Sequence, residues 1–241
     1  MRKFFGFQIL DAKILLTNLV SFFWTLILPL FSALVLRGTL LDSIETESEI
    51  QNYLSWFWIF IIVSSFIYGV GLKLARFRDM GILKTYILIS GDKRIFIYAI
   101  LLNQFIICLM CLMIFSFVMA IVYNLNIVML LLIPFLLLVC SIPFAFATLL
   151  IATINLKHST LNTIASILIY PGFLMALNTR YSEIEWTDLL NPFNILYTFS
   201  QYSSSLFLGN LSLVPFLFLL VYLLIGFVSI RKINLVSRVE R

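Results

Sequence analysis

The sequence predicts an all-α integral membrane protein of six transmembrane helices, and three observations predict it. Of the 241 residues, 62% are hydrophobic and 11% are charged, with a mean hydropathy of +1.09. A soluble domain runs about 45–50% apolar and about 25% charged, so the excess apolar surface has to face lipid. Six apolar runs approach the roughly 20 residues that a helix needs to cross a hydrocarbon core about 30 Å thick. No Asp, Glu, Lys, Arg or His falls well inside any of the six. Together these exclude a cytosolic enzyme, a secreted domain and a nucleic-acid binder.

The elements follow in order. Phe5, Ile9, Ala12 and Leu16 form one apolar helical face, with Arg2, Lys3, Gln8, Asp11 and Lys13 around it. This predicts an amphipathic helix over 1–17 lying on the membrane surface before the chain turns inward; a plain extension of the first span is the alternative. Asp11 and Lys13 interrupt the stretch that a cleavable signal peptide would keep apolar. The spans are expected at 19–36, 54–72, 95–122, 127–154, 161–177 and 211–230. The longest remaining segment, 178–210, falls short of the roughly 40 residues below which unaided domains rarely fold. The chain therefore reads as a single membrane domain over 1–241. Pro29, Pro134, Pro143, Pro171 and Pro215 lie within or beside spans, either as ordinary kinks or as splay points around a pathway.

Six spans put both termini on one side, and the charges then sort by loop. Only Arg37 and Arg180 of the 16 Lys and Arg fall on the other side, which also carries Asp42, Glu45, Glu47, Glu49, Glu183, Glu185 and Asp188. Basic residues in short loops mark the cytoplasm. The expected location is the cell membrane, with both ends cytoplasmic.

The chemistry within the spans is sparse. Proton-coupled pumps, voltage sensors and intramembrane metalloproteases use buried ionisable groups, and these spans offer none. Cys108 and Cys111 imitate a redox or zinc motif but sit mid-helix without partner ligands. His158, the single histidine, lies at the mouth of the fifth span beside Lys157 and reads as an interfacial polar residue. Gly69 and Gly71 precede Lys73 at the wrong spacing for a phosphate-cradling loop. No catalytic residue, cofactor site or metal site is assigned. Ser21, Thr25, Ser64, Ser65, Asn162, Thr163, Ser166 and Tyr170 either line a substrate pathway or hydrogen-bond between helices.

Two inter-span segments carry more. Between the second and third spans, Lys73, Arg76, Arg78, Asp79, Lys84, Lys93 and Arg94 interleave with Phe77, Met80, Ile82, Leu83 and Tyr86. This suits a short surface helix that docks into another protein, charges setting orientation and apolar groups supplying contact energy. Plain binding of lipid headgroups by Lys and Arg is the alternative. Before the last span, Trp186, Phe193, Tyr197 and Tyr202 suggest interfacial or re-entrant helices broken at Asn191-Pro192.

With these residues placed, the chain resembles the permease subunits of ABC-type exporters of the type-2 class. The amphipathic start runs into Asn18-Leu-Val-Ser-Phe-Phe-Trp-Thr-Leu-Ile-Leu-Pro29, like the surface helix and proline-bearing first span of that family. Arg78-Asp-Met-Gly-Ile-Leu-Lys84 is similar to its Arg-Glu-x-Gly-Thr-Leu-Lys signature, with Asp79 and Ile82 in place of Glu and Thr. Ile169-Tyr-Pro-Gly-Phe173 resembles its proline-bearing fifth span, and Asn191-Pro-Phe-Asn-Ile195 its Asn-Pro motif before the sixth. The proline that often follows the family's coupling helix is replaced by Ile89-Ser90-Gly91.

The resemblance implies a bacterial exporter subunit that is not itself an enzyme. Two permeases, identical or homologous, would pair with two cytoplasmic ATPases that bind ATP and Mg. A coupling helix over 76–84 would dock on the ATPase, with Arg76, Phe77, Arg78, Asp79, Met80, Gly81, Leu83 and Lys84 as its residues. The 24 Phe and the absence of buried charge favour a hydrophobic or amphipathic cargo, with an antimicrobial peptide of an export or immunity system expected before a drug-like molecule. The rival classes are a non-energised scaffold or channel, and an intramembrane hydrolase of the immunity-protein type.

Overall fold

The computed structural model describes residues 19–35, 47–178, 190–204 and 214–233, together with Gly6 and Ile9. The surface helix expected over 1–17 therefore lies outside the described residues, apart from Gly6 and Ile9, which are helical. So do Glu183, Glu185, Trp186 and Asp188.

The described residues are all-helical, with no strand among them. Helix α1 (Leu19–Val35) contains Pro29. Helix α2 (Glu47–Phe66) continues without a break through a π turn (Ile67–Leu72) into α3 (Lys73–Asp79). Its Glu47 and Glu49 lie at the N-terminus and its Arg76 and Arg78 at the C-terminus, each matching the sign of the helix dipole. A tight turn leads into α4 (Ile82–Ser90). Asp92 then caps α5 (Lys93–Tyr123) by accepting from the Arg94 N–H at 2.9 Å. Asn124, in the left-handed region at φ 56°, ends α5; Asn126 caps α6 (Ile127–Cys140) by accepting from the Val128 N–H. The chain goes on through α7 (Ile142–Ala147) and a 3₁₀ helix (Thr148–Thr153) to α8 (His158–Asn178), α9 (Pro192–Ser204) and α10 (Val214–Lys232).

Among the described residues, four helices are long and apolar enough to cross a membrane: Glu49–Asp79, Lys93–Tyr123, His158–Leu177 and Val214–Lys232. A fifth candidate is the pair Ile127–Cys140 and Ile142–Thr153, bent by 42°. The span expected over 127–154, with Pro134 and Pro143 as its kink candidates, is thus a pair of helices bent beside Pro143. Pro143 has no N–H to bond the Val139 carbonyl, and the Ser141 hydroxyl takes the Leu138 carbonyl at 2.7 Å. The second span is also longer than the expected 54–72, because its polar flanks stay helical on both sides.

Helix α2 is the hub. Neighbours α1, α5, α6, α8 and α9 all pack on it, and Leu54, Trp58, Ile59, Ile61 and Ile62 are wholly buried. An apolar helix without a polar face suits such an enclosed position. The Tyr53 hydroxyl donates to the Ala33 carbonyl of α1 at 2.8 Å. Phe57 meets Phe115 of α5, Phe60 meets Phe173 of α8 at 5.0 Å, and Trp56 stacks on Tyr197 of α9 at 4.0 Å. Helix α9 is itself enclosed, and Phe193, Tyr197 and Tyr202 are buried in protein. They pack in the protein core rather than presenting their rings outward. Helix α9 begins at Pro192, where the Asn191 side chain accepts from the Phe193 N–H and donates to the Gly172 carbonyl of α8 at 2.8 Å; the helix expected on the other side of an Asn191-Pro192 break lies outside the described residues. At the far edge α10 packs on α7 so closely that a Cβ on Gly226 would come within 2.5 Å of Phe146 Cβ.

Candidate functional site

The described Lys and Arg residues gather at one end of the bundle, where α2–α3, the 3₁₀ helix, α8 and α10 start or stop. Gly81 decides the local shape. Its φ of +70° lies in the left-handed region, open to glycine at little cost. The chain reverses there after Met80, whose N–H bonds the Arg76 carbonyl. The coupling segment expected as one helix over 76–84 is therefore two pieces: the last turn of α3, and α4 after the bend.

That bend sorts the expected residues into two sets. Arg76, Met80, Gly81 and Lys84 are exposed. Phe77, Arg78 and Leu83 turn inward. Phe77 forms an aromatic group with Tyr86 of α4 and Phe96 of α5, at centroid distances of 6.3 and 6.0 Å. Lys73 Nζ lies 5.9 Å above the Phe77 ring. Leu83 is wholly buried, so α4 is fastened to the bundle by one face. The other face shows Lys84 and, one turn on, Leu88, which is 75% exposed.

Arg78 is the centre of the site. The residue is only 2% exposed, yet its guanidinium is fully satisfied. Its Nε donates to Asp79 Oδ1 at 3.1 Å; one terminal nitrogen donates to the carbonyls of Ala152 and Ile154; the other donates to Asp79 Oδ1 and to the Leu156 carbonyl at 2.7 Å. An arginine has five N–H donors in a rigid fork, and here each finds an acceptor. The three carbonyls belong to the end of the 3₁₀ helix and the linker after it, where a helix presents negative charge. Asp79 then uses its second oxygen, Oδ2, to accept the backbone N–H of His158 at 2.6 Å. This places a carboxylate on the N-terminus of α8, the positive end. One Arg–Asp pair thus joins the end of the hub helix to the end of one neighbour and the start of another. A second tie lies beside it: Lys93 Nζ donates to the Arg231 carbonyl at the end of α10, at 2.8 Å.

The residues expected to line a pathway do not form one continuous row. Ser64 and Ser65 are buried in the hub; the Ser64 hydroxyl bonds back to the Phe60 carbonyl, and Ser65 accepts from Gln104 of α5 at 2.6 Å. Thr163 bonds back to Ser159, and Ser166 to the Asn162 carbonyl. Asn162, Thr163 and Tyr170 are exposed on α8, and the Tyr68 hydroxyl reaches Ser166 Oγ at 2.9 Å. Thr25 is half-buried in α1, and the side chain of Ser21 lies outside the described residues. Inter-helix bonding therefore occurs at Ser65 and Ser166, while Asn162, Thr163 and Tyr170 lie on an exposed polar face of α8. Sequence reasoning missed Gln104 and Tyr68. The first had a signal, since Asn103-Gln104 is a pair of amides inside an otherwise apolar run. The carbonyls that hold Arg78 had none, because every residue carries one.

Fold and site together define an all-helical protein, with several helices able to cross a membrane, whose charged residues tie helix ends together. Among the described residues, no group of three or more His, Cys, Asp or Glu is placed to hold a metal ion. No protein-family model matches the sequence, and no significant match is found among the curated proteins or the solved structures.

Proposed function

We propose that this chain is the membrane permease subunit of an ATP-driven exporter, powered by two separate ATPase subunits and paired with a second permease. The observation that carries the reading is the Arg78–Asp79 knot. A subunit moved from outside its own chain needs a surface to be pushed and a stiff connection from that surface to several membrane helices. Arg76, Met80, Lys84 and Leu88 supply an exposed face of mixed charge and apolar groups, the composition of a docking surface. Directly behind it, the knot connects α3 to the linker after the 3₁₀ helix and to α8.

The rest of the reading fits around this. The bent pair over 127–153 and the shorter apolar helix α1 join the four long helices to give six spans, with the basic end cytoplasmic by the Lys/Arg rule. ATP and Mg belong to the partner chains. The exposed face of α8, with Asn162, Thr163, Tyr170 and the Tyr68–Ser166 pair, suits contact with the second permease or with an amphipathic cargo, of which an antimicrobial peptide is the first choice.

The test is gentle detergent extraction of the full chain with its native companions. The expected result is a co-purifying chain that hydrolyses ATP, lost when Lys84→Glu and Leu88→Asp are combined, while the permease stays folded. A homogeneous chain that is active alone and indifferent to nucleotide makes it a non-energised scaffold or channel instead.

A further inference from the structure

We infer that the π turn Ile67–Leu72 is a joint with two settings, and that the Arg78–Asp79 knot holds it in one of them. Runs of i→i+5 bonding inside an α-helix are rare and tend to mark functional places. This one interrupts the most enclosed of the candidate spans among the described residues, a few residues before the knot.

The wide turn is packed from two sides, and each side needs a glycine. Gln104 of α5 lies across Gly69, held there by its bond to Ser65. A Cβ on Gly69 would fall 2.1–2.4 Å from the three terminal atoms of the Gln104 amide. Gly71 backs onto the 3₁₀ helix, where a Cβ would come within 2.7 Å of the Thr148 carbonyl. In the π register, then, Gly71 lies bare against a backbone carbonyl and Gly69 bare beneath the Gln104 amide, whose bond to Ser65 opposes its moving aside.

The alternative setting is the ordinary α register. Tightening six residues from π to α winds the segment beyond them by roughly 100°, the angular step of one α-helical residue. With α2 fixed, α3 turns by that amount about its axis. Position 75 then takes the outward direction that Arg76 holds, and Arg76 turns in. Arg78 is carried away from the carbonyls of Ala152, Ile154 and Leu156 at the same time. The π setting and the closed knot thus occur together, as do the α setting and the open knot, which makes the element two-state with a bias at each end. This inference is independent of any motor protein, because it concerns the chain alone.

Cysteine labelling of the full chain in open membranes tests it. Ala75→Cys or Arg76→Cys is introduced singly and exposed to a charged, membrane-impermeant maleimide. The chain without an added cysteine gives the background from Cys108, Cys111 and Cys140. With the knot closed, position 76 should label at least about tenfold faster than position 75, as exposed thiols react and buried ones do not. Arg78→Ala opens the knot and should reverse that order. Gly69→Ala should reverse it as well with the knot residues intact, and adding Gln104→Ala should restore the original order by removing the amide. Monodisperse protein in which position 75 stays protected in both variants overturns the inference. So does equal labelling at both positions, the mark of simple loosening, or failure of Gln104→Ala to restore the order. Where Arg78→Ala does not fold, the Gly69 and Gln104 variants decide alone.

Discussion

Helix α2 with its extension to Asp79, and helix α8, have similar hydropathy in their most apolar windows, 1.9 and 1.6. Yet 78% of the first window is buried inside the protein and only 17% of the second. The difference arises from what the side chains are, since both helices are apolar enough for lipid. Helix α2 concentrates Trp56, Phe57, Trp58 and Phe60 in one run, large rigid groups that gain by packing against several neighbours at once. Helix α8 spreads Ile164, Ile167, Leu168, Leu174 and Met175 over an outward face. Lipid tails are as apolar as leucine, so nothing drives such a face inward. Hydropathy reports suitability for a membrane; it does not separate a protein-facing helix from a peripheral one.

The comparison breaks most readily at the hub. Trp58→Ala should destabilise the chain by about 3–5 kcal/mol, the range for emptying a packed aromatic site, whereas Leu168→Ala on α8 should stay within about 0.5 kcal/mol. Detergent-titration unfolding of both variants checks this, and equal losses would mean that the contrast in burial has no energetic counterpart. Arg78→Ala should cost a similar 3–5 kcal/mol, since it leaves the Asp79 carboxylate and three carbonyls short of a donor. A smaller effect is expected from Gln104→Leu, about 1–3 kcal/mol, for the buried Ser65 hydroxyl it deprives of a partner. Smaller again is Ser166→Ala, near 0.6 kcal/mol, the average for an inter-helix hydrogen bond in a membrane protein; a loss as large as that of Trp58→Ala would show that the exposed face of α8 is not peripheral at all. The docking pair Lys84→Glu and Leu88→Asp should leave unfolding within about 0.5 kcal/mol, both side chains being exposed.

The apolar runs made the helical class legible, because period and length are properties of consecutive residues. Element ends were legible where a side chain bonds locally, as at Asp92, Asn126 and Asn191. The bend at Ser141 was only half legible: Pro143 announces a weak point, but its angle depends on how α7 seats against α10. The site was the least legible part. Arg78 and Lys84 look equivalent in the sequence, two basic residues in one charged segment, and Gly81 turns one inward and leaves the other out. The burial of the aromatic residues was illegible for a related reason: Tyr197 and Tyr202 have an amphipathic character that says nothing of neighbours, and the chain folds α9 back against α2 and α6 and encloses them.

The link between α5 and α6 has a consequence for how the molecule is made. Three residues, Asn124, Leu125 and Asn126, join the two helices, and a chain of that length reaches at most about 10 Å. So short a link leaves α6 no slack with which to reach neighbours remote from α5. The end of α5 and the start of α6 are therefore held within about 10 Å of each other, and the two helices can only pack as a hairpin.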